Sequence, residues 1–309
     1  MLDVIARLRD NIARIYMGEP DAIDRVIACL IARGHALIED VPGVGKTVLA
    51  SAVAKSVDCQ FSRIQLTPDL LPSDILGVTV FDREGSRFVF KPGPIFANVI
   101  LADEINRTPP RTQTALLEAM SDGSVSIDGE VRVLEQPFIV LATQNPREFE
   151  GTYPLPENQL DRFLMRLSLG YPSARNEMEL LDVRPAQTLL SELTPVLSRQ
   201  DVVDLQRSVD SVRMAPAVRE HIVTFARATR EHPDLRVGLS PRGSLALAQT
   251  ARATALMAGR DHVIAEDVID NITAVCAHRV IPAASADLGS FDTAAEVLMD
   301  VLQTVDAPV

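Results

Sequence analysis

Residues of the types that handle phosphate recur along this chain in "VPGVGKT" (41–47), "ADE" (102–104), "TQNP" (143–146), "LDRF" (160–163) and "LSPRG" (239–243). In the first, Gly43 and Gly45 let the backbone curl so that successive N–H groups face an anion. A helix read over "KTVLASAVAKSV" (46–57) adds partial positive charge at its N-terminus. Lys46 then reaches the β- and γ-phosphates of a nucleotide, and the Thr47 hydroxyl ligates Mg²⁺. The general phosphate-loop spacing wants a glycine six places before the lysine, where this chain has Asp40. A side chain at a strand exit can point away from the phosphates, so the loop is expected to bind nucleotide all the same.

The other clusters suit the same chemistry. Asp103 and Glu104 end an apolar run, which puts two acids at the carboxyl edge of a sheet, where α/β ligands bind. Asp103 is expected to hold magnesium, largely through water, and Glu104 to polarise the attacking water as general base. Asn145 ends another strand and can orient the same water. Ser240 caps a helix and Pro241 fits its first position, so Arg242 falls in the first turn. The helix dipole disfavours a cation there by about 0.3–1 kcal/mol, a placement best understood if Arg242 points at an anion such as the γ-phosphate. Arg162 precedes the last strand and is placed to reach a neighbouring subunit's nucleotide as an arginine finger. Each cluster alone has a plain alternative: a surface lysine, an acidic turn, an Asn-Pro turn or a surface ion pair. Together they support one another.

The elements that would position these residues can be read from hydrophobic patterning. Short apolar runs at 36–39, 61–66, 99–102 and 138–143 read as buried strands, with a weaker fifth at 163–169. Helical stretches separate most of them, which indicates a parallel α/β sheet. Ahead of the first strand, 4–15 has a helical rhythm, and "EPDAIDRVIACLIARG" reads as a helix with Pro20 near its start and Gly34 at its stop. The stretches 80–90 and 124–134 each read as a β-hairpin, the second turning on Asp128-Gly129. Beyond Tyr171-Pro172 the strands cease and the pattern is helical. The expected organisation is an α/β domain over 1–170 and a helical domain over 171–309. In its tail, Val297, Leu298, Val301 and Leu302 predict one more amphipathic helix, packed on the core.

Composition narrows the function classes. A chain of 309 residues with 47% hydrophobic content can bury a large core and is long enough for two domains. A net charge of −12 repels nucleic acid and anionic membranes. Around the second hairpin, "SDGSVSIDGEVRVLEQ" sets Arg132 alone against Asp122, Asp128, Glu130 and Glu135. Cys29, Cys59 and Cys276 are odd in number and far apart, as suits a reducing compartment. With no apolar leader and no run long enough for a span, the protein is expected to be soluble and cytoplasmic, with no direct membrane insertion.

Taken in order, "GHALIEDVPGVGKT", "RIQLTPDLLPSDILG", "FKPGPIFANVILADEINRTPPRTQTALLEAM", "VLATQNPREFEGTYPLPENQLDRF" and "VGLSPRGSLAL" resemble the MoxR group of AAA+ ATPases, which carry a helix-2 insert. The resemblance runs from about Gly18 to Arg279, and it accommodates Asp40, since "EDVPG" is common in that group. It implies a P-loop core with a parallel sheet and two inserted β-hairpins, followed by an all-α lid. It implies nucleotide contacts from Pro42, Gly43, Val44, Gly45, Lys46, Thr47 and Val48, with Thr47 and Asp103 serving the metal. Asp103 and Glu104 become the Walker B pair, Asn145 sensor 1, Arg162 the trans-acting finger and Arg242 sensor 2. "IYMGEPDAID" becomes a loose version of the segment lining the adenine pocket. The function implied is Mg²⁺-dependent ATP hydrolysis in a ring, a hexamer, coupled to remodelling a client. Such proteins resemble chaperones that mature protein complexes or insert metal cofactors, often with a von Willebrand factor A-domain partner. The alternatives are a nucleotide-gated scaffold with little turnover and a nucleic-acid motor, the latter disfavoured by the acidic hairpin.

Overall fold

In this computed structural model, residues 2–40, 43–144, 152–182, 186–283 and 291–306 are described. The strands of the first half are β1 (Ala36–Glu39), β2 (Phe61–Gln65), β3 (Gly77–Asp82), β4 (Arg87–Pro92), β5 (Val99–Asp103), β6 (Ser124–Ile127), β7 (Glu130–Val133), β8 (Ile139–Gln144) and β9 (Met165–Leu167). Five of them form one sheet in the order β2-β5-β8-β1-β9, and every pairing in it is parallel. Their carboxyl ends therefore share one edge. Two further pairs, β3 with β4 and β6 with β7, are antiparallel hairpins, the second turning through Asp128 and Gly129, both at positive φ.

Alternation along the strands sorts the core into two layers. Val99 and Leu101 of β5 face one hydrophobic cluster, while Ile100 and Ala102 face the other. The first cluster takes in α1 (Leu2–Ala13), α2 (Pro20–Ile31) and α3 (Lys46–Ser56). The second takes in α4 (Pro72–Leu76), α5 (Pro110–Asp122) and Phe163, which follows α6 (Glu157–Leu160). The interior strand β5 is buried throughout, as its unbroken apolar run predicts. The segment 61–66 departs from that expectation. In β2, at the sheet edge, Arg63 and Gln65 are exposed, because an edge strand needs to bury only one of its faces.

Helices dominate the second half: α7 (Ala174–Asp182), α8 (Ala186–Glu192), α9 (Arg199–Ser211), α10 (Pro216–Glu231), α11 (Pro241–Met257), α12 (Ala265–Ile269), α13 (Ile272–Cys276) and α14 (Phe291–Gln303). They are not the whole of it. A small antiparallel pair, β10 (Leu235–Val237) with β11 (Ile281–Pro282), corrects the expectation that strands cease after Pro172. Three and two residues are too few to show an alternating pattern in sequence. In α14, Leu298 and Val301 are buried with Val297 and Leu302 packed beside them, so the predicted tail helix joins the core. Gly34 also has a different role from the one expected. The left-handed residue after α2 is Arg33, at φ 57°, whereas a Cβ on Gly34 would collide with the Leu164 side chain. Its smallness serves packing beside β9. Among the described residues no helix is long and apolar enough to cross a membrane.

Candidate functional site

The loop between β1 and α3 is shaped by two left-handed glycines, Gly43 at φ 92° and Gly45 at φ 91°. A side chain at either would strain the backbone even where, as at Gly43, nothing lies within 4 Å of an added Cβ. Gly45 is the N-cap of α3 and supplies no side-chain cap, so the N–H groups of Lys46, Thr47 and Val48 remain turned toward the loop for an anion. Val44 is buried beneath them. This cradle fits a phosphate. Lys46 is half-buried and donates from Nζ to the Asp40 carbonyl at 2.7 Å. Burial pulls its pKa down, and the carboxylates of Asp40, Asp103 and Glu104 push it back up. The loop lysine thus lies within the field of both acids that end β5. Pro42 lies outside the described residues.

Asp40 turns away from the loop, as its place at a strand exit predicts. Its Oδ2 accepts the N–H groups of Leu169 and Gly170 at 2.7 and 2.8 Å and the Ser168 hydroxyl at 3.2 Å. The residue that replaces the usual glycine ties the carboxyl end of β1 to that of β9. The neighbouring Glu39 pairs with Arg166 across the same two strands. Beneath the loop lies Tyr16, whose ring is 3.3 Å from where a Cβ of Gly45 would stand. Gly18 makes room for its hydroxyl. Helix α7 reaches this segment through Asn176, which donates to the Met17 carbonyl at 2.8 Å. Sequence reasoning reaches Tyr16 only through the resemblance of "IYMGEPDAID", because an aromatic after an amphipathic helix otherwise looks like ordinary core.

At the end of β5, Asp103 is buried and Glu104 is left-handed, at φ 60° and ψ 52°. A non-glycine residue in that region costs on the order of 1 kcal/mol and tends to mark function. One hydroxyl holds both acids. Thr143 Oγ1, on adjacent β8, donates to Asp103 Oδ1 at 3.0 Å and accepts the Glu104 N–H at 3.0 Å. Edge strand β2 supplies further partners. Arg63 Nε donates to Asp103 Oδ2 at 2.6 Å, and Gln65 Nε2 donates to Glu104 Oε2 at 2.8 Å. Arg107 Nε lies 3.4 Å from the same Glu104 oxygen. Sequence reasoning missed Thr143, Arg63 and Gln65. Their one signal is the spacing of Arg63 and Gln65 two apart on a strand, and it has meaning only once β2 is known to neighbour β5.

Ser240 caps α11 by accepting the Gly243 N–H at 3.1 Å, and Pro241 opens the helix. Arg242 stands in the first turn, more than half exposed, with Nη1 4.0 Å from Asp161 Oδ2. Arg162 donates from Nη1 to the Leu117 carbonyl at 2.9 Å and the Ser121 hydroxyl at 2.7 Å. It rests on the last turns of α5, whose carbonyl end attracts a cation. Among the described residues no hydrogen bond or ion pair joins Arg162 to the loop of its own chain. Asn145 lies outside the described residues. The structure therefore brings Lys46, Asp103 and Glu104 together at one sheet edge, and sets Arg242 near Asp161, the residue before Arg162, ahead of β9.

Comparison with known proteins finds relatives over nearly the whole chain. The family described as "ATPase family associated with various cellular activities (AAA)" matches residues 35–165, and the one described as "AAA lid domain" matches 227–300. YeaC of Bacillus subtilis is 45% identical over 99% of this chain and 95% of its own length. Chaperone MoxR1 of Mycobacterium tuberculosis is 40% identical over 96% of this chain and 81% of its own. A crystal structure from Cytophaga hutchinsonii superposes with a TM-score of 0.89 at 34% identity, covering 99% of this chain and 95% of that one.

Proposed function

Because this chain belongs to the MoxR family of AAA+ ATPases, with an α/β nucleotide-binding core and a helical lid, we propose that it hydrolyses ATP with Mg²⁺. We place the division between core and lid at Gly170, after the last strand of the sheet. The observation that carries the reading is the Thr143 hydroxyl, which holds Asp103 and Glu104 together beside Lys46. The N–H groups of Lys46 to Val48 and the Lys46 ammonium bind the phosphates. Thr47 and Asp103 would hold the metal, which would supply charge neutralisation at the phosphates. Glu104 takes a proton from the attacking water, and Asn145 orients that water. Arg242 contacts the γ-phosphate from the lid. Arg162, held on α5 and unattached to its own loop, acts on a neighbouring subunit's nucleotide, so the active unit is a ring, hexameric by family resemblance.

By analogy with relatives named as chaperones, the work done is remodelling a client during complex maturation or metal-cofactor insertion, with a von Willebrand factor A-domain protein as partner. A second reading, a nucleotide-gated scaffold with little turnover, rests on one set of contacts. Gln65 and Arg107 engage the Glu104 carboxylate, which lowers its availability as a base. A nucleic-acid motor finds no such support. Arg132, the cation of the second hairpin, is paired with Glu130 at 2.6 Å and covers the Phe90 ring.

The test is ATP turnover per subunit across a wide range of protein concentration. Turnover should climb and then saturate as subunits assemble, because an arginine finger contributes about 10³–10⁵-fold. Turnover near zero throughout, with ATP still bound, would favour the scaffold. Glu104→Gln should retain ATP and lose turnover, and Lys46→Ala should lose ATP. Near-normal turnover in the first, or unchanged affinity in the second, would remove those assignments.

A further inference from the structure

The strand that feeds the phosphate loop and the strand that feeds the lid leave the sheet side by side. β1 and β9 pair in parallel, so Asp40, where the loop begins, stands beside Leu169 and Gly170, where the core gives way to the lid. One oxygen of Asp40, Oδ2, accepts both of their N–H groups, at 2.7 and 2.8 Å, and the Ser168 hydroxyl at 3.2 Å. Hydrogen bonds to an ionised carboxylate are roughly twice as strong as neutral ones. Gly170 turns the chain at φ 65°, a left-handed angle at which a side chain is strained. A side chain at the entry of the loop thus fixes the turn from which the lid departs.

Asp40 also meets the loop from its other end. Its backbone carbonyl accepts Lys46 Nζ at 2.7 Å. The same residue therefore holds the phosphate-binding lysine through its main chain and the start of the lid through its carboxylate. Two further contacts run in the same direction. Glu39 pairs with Arg166 of β9, whose guanidinium also lies in the field of Asp292, at the start of α14. Asn176 of α7 donates to the Met17 carbonyl at 2.8 Å, next to the tyrosine that lies under Gly45. Phosphate binding by the loop requires none of these. The general pattern places at this position a glycine, which has no carboxylate to offer.

We propose that Asp40 is a positioning residue for ATP hydrolysis, whose carboxylate ties the departure of the lid to the phosphate loop, so that what the loop holds sets the lid. When the Lys46 ammonium turns to a phosphate, it gives up the Asp40 carbonyl. The peptide at Asp40 relaxes, and the carboxylate passes that change to Leu169 and Gly170. This rests on the proposed ATPase reading, in that the loop must take the phosphates of ATP.

The experiment compares the full-length wild-type chain with Asp40→Gly, which restores the general loop pattern, and Asp40→Asn, which keeps one acceptor oxygen without the charge. Neither removes the Asp40 carbonyl, so a fluorescent ATP analogue should bind all three within about three-fold, while kcat of the assembled protein falls about ten-fold in Asp40→Gly and less in Asp40→Asn. With Mg²⁺ and a saturating, slowly hydrolysed analogue, backbone amide exchange across residues 168–182 should change in the wild type and not in Asp40→Gly. A mere staple between two strands would lower the urea midpoint and leave both kcat and the exchange response as they are, which would overturn the proposal. So would a bound analogue that leaves exchange across 168–182 untouched in the wild type. A parallel loss of affinity and turnover would overturn it too, since Asp40 would then belong to the fold of the loop itself. Should Asp40→Gly not fold, the same comparison is made with Asp40→Asn, and a wild-type exchange response there together with wild-type kcat sinks the proposal. Failure of the wild-type chain to bind the analogue would instead remove the ATPase reading, and this inference with it.

Discussion

At the scale of single residues, the site depends on one hydroxyl. Thr143 Oγ1 spends its proton on Asp103 and a lone pair on the Glu104 N–H, and it is buried where water cannot replace it. The Glu104 backbone is left-handed, so its side chain leaves the strand in a direction that an ordinary β residue would not take. Thr143→Val keeps the shape and removes both bonds. Leaving a buried donor and a carboxylate oxygen unmatched costs about 1–3 kcal/mol, measurable by urea unfolding. Turnover should fall about ten-fold while nucleotide affinity stays within two- to three-fold, since the phosphate cradle is built from other residues. Unchanged turnover would make Thr143 a packing residue only.

At the scale of elements, the strand order explains both what sequence reveals and what it conceals. Gly43, Gly45, Lys46 and Thr47 are legible because a phosphate cradle is made by consecutive residues, and their φ demands show up as glycine. The acid pair is legible because an apolar strand ends in charge. Gln65 and Arg63 are not, because their partners lie some forty residues away, on a strand whose neighbour only the sheet order β2-β5-β8-β1-β9 reveals. Asp40 is half-legible. A strand exit predicts that it turns away, yet its anchor at Leu169 and Gly170 needs β9 beside β1. The pair β10 and β11 leaves no pattern at all, being shorter than one period of alternation repeated. The same order makes β2 a restraint on the base. Gln65 Nε2 holds the Glu104 carboxylate at 2.8 Å, and a hydrogen bond of this kind contributes about 1 kcal/mol. Gln65→Ala should therefore raise basal ATP turnover roughly five-fold. A fall instead, in the same steady-state assay, would mean that Gln65 aims the base rather than restraining it.

At the scale of the whole molecule, two buried histidines join layers that the chain brings together from far apart, and they set how the fold responds to acid. His35 Nδ1 accepts the Val140 N–H at 3.0 Å, so its proton sits on Nε2, which faces the Met120 carbonyl at 2.9 Å. This neutral ring links the start of β1, the start of β8 and the end of α5, the same helix end on which Arg162 rests. His278 lies beside Arg279, where the lid meets Phe163. Burial lowers the pKa of His35 to about 4 and that of His278 well below its ordinary value, with the Arg279 charge adding to the second. Both folded values lie below the unfolded value near 6.5, so between the two the unfolded chain binds more protons. Stability is then fully present above about pH 6.5 and is lost as pH falls toward the folded pKa, with about 2 kcal/mol gone by pH 5 from His35 alone. Asp210 is held low as well: burial works to raise it, but hydrogen bonds from Arg33 and Gln249 outweigh that, and its contribution is lost only below the ordinary carboxylate value of 3.8. The histidines therefore act first. Denaturant unfolding at pH 7.5, 6 and 5 should show the midpoint dropping through this window, before most carboxylates are protonated. His35→Gln should flatten part of the slope, because an amide cannot gain that proton. A midpoint constant from pH 7.5 to 5 would mean that neither ring is held neutral, and that the joint between lid and core carries no acid sensitivity of its own.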